Sequence, residues 1–474
     1  MSGRNGARPE AGLPAFWRGV EVAQADRRLL LAFFAAGLGA LALGAGFAGV
    51  MWLARTPALA GVPAGLYYQA LTGHGLFAFI FWLGFVQTGF LLGAGSALIG
   101  QPLRGRAWAW TGLGLMLAAA ALALTGTLSG AAITYHGAAP LAQAYPTAWL
   151  IYLGYVVLAL GMLVEVLVVA ATLLGAVGRP GRLDAWAACF ARIPIAAFAA
   201  IAGLFIAVPG LIAALKTFVP ALLWSLGWGA LDAEAYRLNW HVAFHIYHYI
   251  PALALVGVAY VLAEVAAGAR SVYPKPLAKG LFLLYPLVVP PTFLYHLLVD
   301  PGLPQGVKLA GTTLSLLVGV PTLLHMFVVA GMVEARFRGT RRWVRRLPWG
   351  NPAFAALALG LVTLCVGGVL AYLALQAPLA PLLHNTFAVP AYVHAVAAGG
   401  ANLAFMGALY YALPMLLRRR LRPWRLAPAQ PWLRGVGLLC MSAFGVAAGW
   451  AGALRRHPPD GGRAPWDAGL NASL

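Results

Sequence analysis

The chain has 474 residues, of which 62% are hydrophobic and 9% charged, with a mean hydropathy of +0.81. Soluble domains carry about a quarter charged residues, so a soluble globular class is excluded. The formal net charge of +20 could suit a nucleic-acid binder. However, the cations alternate from loop to loop between apolar segments, which is a membrane-topology pattern, and no nucleic-acid partner is expected.

Residues 1–26 are polar and contain no apolar core, so no cleaved signal peptide is expected. Apolar stretches then recur at roughly 27–53, 70–100, 107–130, 146–176, 195–225, 239–267, 277–299, 307–334, 352–376, 387–416 and 433–453, each long enough to cross a bilayer core. Lipid cannot satisfy open backbone groups, so these are helices. The fold class is an all-α polytopic membrane protein with about eleven transmembrane helices. One transmembrane domain is expected over residues 1–456, and 457–474, rich in Pro and Gly, reads as a loose tail.

The cationic loops hold Arg4, Arg8, Arg18, Arg27 and Arg28, then Arg104 and Arg106, then Arg179, Arg182 and Arg192. They continue with Arg270, Lys275 and Lys279, a cluster from Arg336 to Arg346, and another from Arg418 to Arg425. The loops between them carry few cations or none. By the positive-inside rule this places the N-terminus in the cytoplasm. Cys189, Cys365 and Cys440 stand singly in apolar segments and read as small buried hydrophobes.

Ionisable side chains inside spans are the default functional candidates. They are His74, Glu165, the trio His241, His245 and His248, then His296, His325, His384 and His394. The trio is spaced i, i+4, i+7, so its members share one helix face. That face should look into the bundle, where cofactor sites are built. Imidazole binds haem iron, copper and zinc alike. His74 lies between two glycines, and His394 precedes a run of Ala and Gly. Small residues there leave room for a flat macrocycle, although such runs also serve close helix packing. Glu165 reads equally as a proton-relay carboxyl or as a paired structural group, whereas Glu264, close to the cytoplasmic end of its span, reads as a structural group.

Several segments together resemble subunit I of the haem–copper oxygen reductases, most closely the B-type, ba-type cytochrome c oxidase branch. They are YYQALTGHG, FLYHLLVDPG, KLAGTTLSLLVGVPTLLHMF, LPWGNPAF, HNTFAVPAYVH and GWAGALRR. The resemblance implies that His74 and His394 are the axial ligands of a low-spin haem b. It places His384, Arg455 and Arg456 at the haem propionates, His245 and His296 at a copper site, and Tyr249 beside that copper. Thr312 and Ser315 fall on hydroxyl positions of a proton path.

Two departures stand out. The family's tenth-helix motif ends His-x-His, and here its first member is Tyr392; the seventh-helix His-His pair is here Tyr295-His296. Two imidazoles in a site for three hold copper weakly, so a copper site is only weakly supported. A second, high-spin haem would need Tyr392 as its iron ligand. The resemblance therefore implies a haem-binding electron-transfer subunit of a respiratory complex, in the cytoplasmic membrane of a prokaryote, with other subunits such as a subunit II-like or cytochrome c partner. Its own oxygen-reducing activity is not expected. Two alternatives stay open: an active oxygen or nitric oxide reductase using Tyr249 and Tyr392 at an unusual centre, and a haem-free scaffold or transporter of the same fold.

Overall fold

The computed structural model describes residues 22–56, 61–133, 145–177, 183–298, 302–339, 342–376, 378–419 and 426–456. The expected tail 457–474, Asp300 and Pro301, and part of the cationic loops lie outside them. Helix α1 runs Gln24–Ala54. The second span is composite: α2 Ala64–Gly75, a π-helical segment Leu76–Phe81, and α3 Trp82–Gly95. Next come α4 Arg106–Leu128, α5 Ala148–Val177, the short α6 Leu183–Arg192, α7 Phe198–Ser225 and α8 Ala233–Ala267. Helix α9 Lys275–Val288 runs into a 3-10 segment Pro290–Leu297, followed by α10 Gln305–Phe337 and α11 Pro352–Ala374. The tenth span is again composite, with the short α12 Ala380–Leu383 leading to α13 Ala388–Val393, a π-helical segment His394–Ala401 and α14 Asn402–Leu417; α15 Ala429–Trp450 is the last helix among the described residues.

Among the described residues ten helices are long and apolar enough to cross a membrane, or eleven if the bent α9 and 3-10 pair is one span. That agrees with the eleven apolar stretches. The 53° bend falls at Pro290 and Pro291, which have no N–H to continue the ladder. Helix starts obey local chemistry. The Asp232 side chain accepts from the N–H groups of Glu234 and Ala235 at 3.0 Å, and Asn351 caps α11 ahead of Pro352. Helix α8 is the centre of the bundle: its most apolar stretch is 78% buried, against 22% for α15. Among the described residues the only β-type pairing is an isolated bridge between Thr386 and Leu454.

Cys365 and Cys440 are exposed on the outer faces of their helices, contrary to the buried role expected of them. In a bilayer the outside of the bundle is as apolar as its core, so a thiol there incurs no penalty. Cys189's side chain lies outside the described residues.

Two contacts fix α1. Near the cytoplasmic end predicted for it, the buried Asp26 accepts from Arg106 Nε at 2.5 Å and from the Leu103 N–H at 3.0 Å, joining α1 to the turn before α4. Further along, a Cβ on Gly44 would strike the backbone and side chain of Ala78 in the first π segment. Glycine at 44 is therefore what lets the two spans touch. Asp26→Ala should lower stability by about 1–3 kcal/mol by leaving the Leu103 N–H unsatisfied. Gly44→Val should cost about 1–3 kcal/mol through overpacking. Both should appear as lower thermal unfolding midpoints of the detergent-solubilised protein, and wild-type midpoints would contradict the two contacts.

Candidate haem site and second metal site

His74 is the last residue but one of α2, and His394 opens the second π segment. Each thus sits where an α-helix changes to π geometry, which is frequent at functional sites. Their rings lie 5.9 Å apart between centroids with planes only 4° from parallel. Each ring is held by its Nδ1. His74 Nδ1 donates to the Gly44 carbonyl on α1 at 3.0 Å, and His394 Nδ1 donates to the Pro390 carbonyl of its own helix at 2.7 Å. A carbonyl can only accept, so both Nδ1 atoms carry the proton. Both Nε2 atoms are then lone-pair donors in the metal-binding tautomer.

These residues fit a haem. The donor chemistry is what fits: two near-parallel imidazoles, 5.9 Å apart between centroids, each with a protonated Nδ1 and an Nε2 left as a lone-pair donor. On the side of this pair nearer the chain's end, Arg455 is brought in by the Thr386–Leu454 bridge. Its backbone N–H donates to Asn385 O at 3.1 Å and its Nη2 to Asn385 Oδ1 at 3.3 Å, beside His384. Arg456 adopts a positive φ of 67°. Of the sequence-predicted set, the structure brings His74 to His394, and Arg455 to the residue that follows His384. Trp82 supports the floor between the two spans: its Nε1 donates to Asn402 Oδ1 at 2.6 Å, linking the first residue after one π segment to the first after the other.

The second cluster is arranged differently. His245 is fully buried on α8, and its Nδ1 lies 3.2 Å from His296 Nε2. Its own Nε2 lies 2.9 Å from the Val289 carbonyl and 2.8 Å from Thr292 Oγ1. His241 and His248, although on the same helix face, turn their Nδ1 protons to the carbonyls of Arg237 and Phe244 on their own helix. Their rings lie 6.0 and 6.4 Å from that of His296. No group of three His, Cys, Asp or Glu side chains placed to hold a metal occurs among the described residues. The structure brings together His245 and His296, with Tyr249 and Tyr295 packed on the His245 ring at 4.8 and 5.3 Å. Tyr295, His296, His384 and Tyr392 line one small cavity of about 20 Å³.

The remaining candidates are separate. His325 meets Tyr260 at 3.0 Å, and Tyr285 meets Thr322 at 2.7 Å, between α8, α9 and α10. Thr312 and Ser315 bond carbonyls of their own helix. Glu264 is exposed. Glu165 is buried in the middle of α5, where Gly112 makes room for its carboxylate. Neither of its oxygens has a hydrogen-bond partner among the described residues, which removes the paired structural reading. With Gln87, equally unpartnered, it borders a cleft of about 120 Å³ between α3, α5, α7 and α8. Sequence reasoning does not single out Gln87, Thr292, Asn402 or Arg434. Only the last carries a signal that could have found it, a cation inside an apolar stretch.

A sequence model described as Cytochrome C and Quinol oxidase polypeptide I matches residues 28–468. A cytochrome c oxidase subunit 1 of Thermus thermophilus is 34% identical over 261 residues, which is 53% of this chain and 45% of that protein. A second Thermus thermophilus sequence of the same description is 37% identical over 111 residues, 23% of this chain and the whole of that sequence. The alignment thus spans less than half the length of the first of these relatives. Among solved structures, a haem–copper terminal oxidase dimer seen by cryo-EM superposes with a TM-score of 0.79 over 95% of this chain and 80% of that chain, at 22% identity, a likeness of fold. With nearly the whole membrane bundle matched, the chain belongs to the cytochrome c and quinol oxidase polypeptide I family, the subunit I fold of the haem–copper oxidases.

Proposed function

We propose that the chain holds one low-spin haem b between His74 and His394 and passes electrons through it as a subunit of a respiratory complex in a prokaryotic cytoplasmic membrane. The observation that carries this reading is the imidazole pair, parallel within 4°, 5.9 Å apart, each Nδ1 fixed by a backbone carbonyl. Haem bound there supplies one-electron transfer. The chain's own residues orient it: the carbonyls of Gly44 and Pro390 hold the ring planes, and Arg455 and Arg456 offer cations to anionic propionates. Electrons would come from, or pass to, a subunit II-like or cytochrome c partner at the membrane face.

The same reading holds that the second centre does not reduce oxygen by the family's route. That route needs histidines where this chain has Tyr392 and Tyr295. A neutral phenol is a poor iron ligand compared with the imidazole it replaces. His245 is also satisfied internally, through Val289, Thr292 and His296.

His74→Ala and His394→Ala should each abolish the low-spin spectrum of the purified protein, whereas His248→Ala should leave it intact. A low-spin spectrum that survives both of the first two changes would sink the assignment. Metal and pigment analysis should give one haem per chain and copper well below one per chain. Two haems with stoichiometric copper, together with a carbon monoxide difference spectrum of high-spin haem, would instead establish an active reductase with Tyr392 on the iron. Purified, folded protein with no Soret absorbance would establish the haem-free scaffold.

A further inference from the structure

Helix α15 packs antiparallel to the tenth span in a fixed register. The Ser442 hydroxyl donates to the Ala391 carbonyl at 3.0 Å, and Gly449 lies against Ala388. Two turns from Ser442 towards the start of α15, the same register brings Arg434 to the second π segment, where its Nε donates to the Ala398 carbonyl at 3.3 Å. Ala398 lies one turn beyond His394 in that segment. A guanidinium has five N–H donors. No other hydrogen bond and no ion pair of Arg434 occurs among the described residues, where the salt bridges are Arg106–Asp26 and Arg338–Glu334. An arginine inside an apolar span is costly and marks function by default.

We propose that Arg434 is the cation that sets the reduction potential of the haem held by His74 and His394, acting through space and through the bond to Ala398 that steadies the segment carrying His394. The proposal rests on the haem assignment above. Reduction removes one positive charge from the iron, so a fixed cation nearby favours the reduced form. Inside the bilayer no mobile ions screen it. Arg434 is therefore a positioning and tuning residue, not a ligand.

The test is a spectroelectrochemical titration of the low-spin absorbance in the full-length protein, with Arg434→Gln, Arg434→Met and Arg434→Lys. The neutral variants should keep the low-spin spectrum and shift its midpoint to lower potential. Arg434→Lys should stay near the wild-type midpoint. A neutral variant with intact haem and a wild-type midpoint overturns the proposal. Loss of haem from both neutral variants also overturns it, because Arg434 would then be a support of the fold. Wild-type protein without a low-spin spectrum would defeat the haem assignment itself and this inference with it, whereas a low-spin spectrum with an unmoved midpoint defeats only the inference.

Discussion

The hydrogen bond from His74 Nδ1 to the Gly44 carbonyl is the contact on which the rest of the site depends. A helix carbonyl in lipid is normally committed to its own helix, and an imidazole in lipid needs partners for both nitrogens. The chain meets both demands by letting the first span touch the second at a glycine. Gly44 has no side chain to hold the backbones apart, so its carbonyl can reach His74 while its Cα rests on Ala78. His394 uses the local version of the same device. The Pro390 carbonyl accepts both from its backbone N–H and from its Nδ1. The result is one proton position on each ring and two lone pairs left for a metal.

The two π segments make this geometry available. A π turn admits one extra residue, which rotates everything beyond it relative to the residues before it. Here the rotation falls immediately after His74 and at His394, and Trp82 and Asn402, the residues that follow the two segments, bond each other. The histidine level and the tryptophan level of the two spans are therefore both in register, which an uninterrupted α-helix on each side would have to achieve by chance. The second cluster has no such arrangement. Its two closest imidazoles satisfy each other and the Val289–Thr292 turn, and the residues beside them are phenols. One site has each Nδ1 tied to a backbone carbonyl and each Nε2 left as a lone-pair donor, whereas the other has its central histidine tied at both nitrogens.

Most of the architecture is readable from the residues because lipid permits few solutions. Apolar length alone gives about eleven spans, in line with the ten or eleven found, although reading 277–299 as one stretch passes over the bend at Pro290 and Pro291. His74 and His394 are legible as ionisable groups out of place, and their pairing through the family's motifs. The π segments are not legible, since Leu76–Phe81 and His394–Ala401 are as apolar as the α-helical stretches around them. The face shared by His241, His245 and His248 is correctly periodic, yet periodicity cannot say which rings turn to their own backbone. Arg434 escapes because a cation five residues inside a helix resembles the end of a basic loop until the helix's start at Ala429 is known.

Glu165 shows how far burial alone carries an argument. A carboxyl in the middle of a span would normally be neutralised by a partner, and here the α4 helix gives up a side chain at Gly112 to admit it without supplying one. Gln87 on α3 is buried with both amide atoms equally unpartnered. Four such polar atoms, two on each side chain, cannot stay unsatisfied in an apolar interior without several kcal/mol of cost. The cleft they border has room for water, whose share of liquid volume is about 30 Å³ per molecule. The apolar spans thus carry two distinct polar provisions: a pair of imidazoles fixed by backbone carbonyls at one place, and a buried carboxyl and amide bordering a cleft at another.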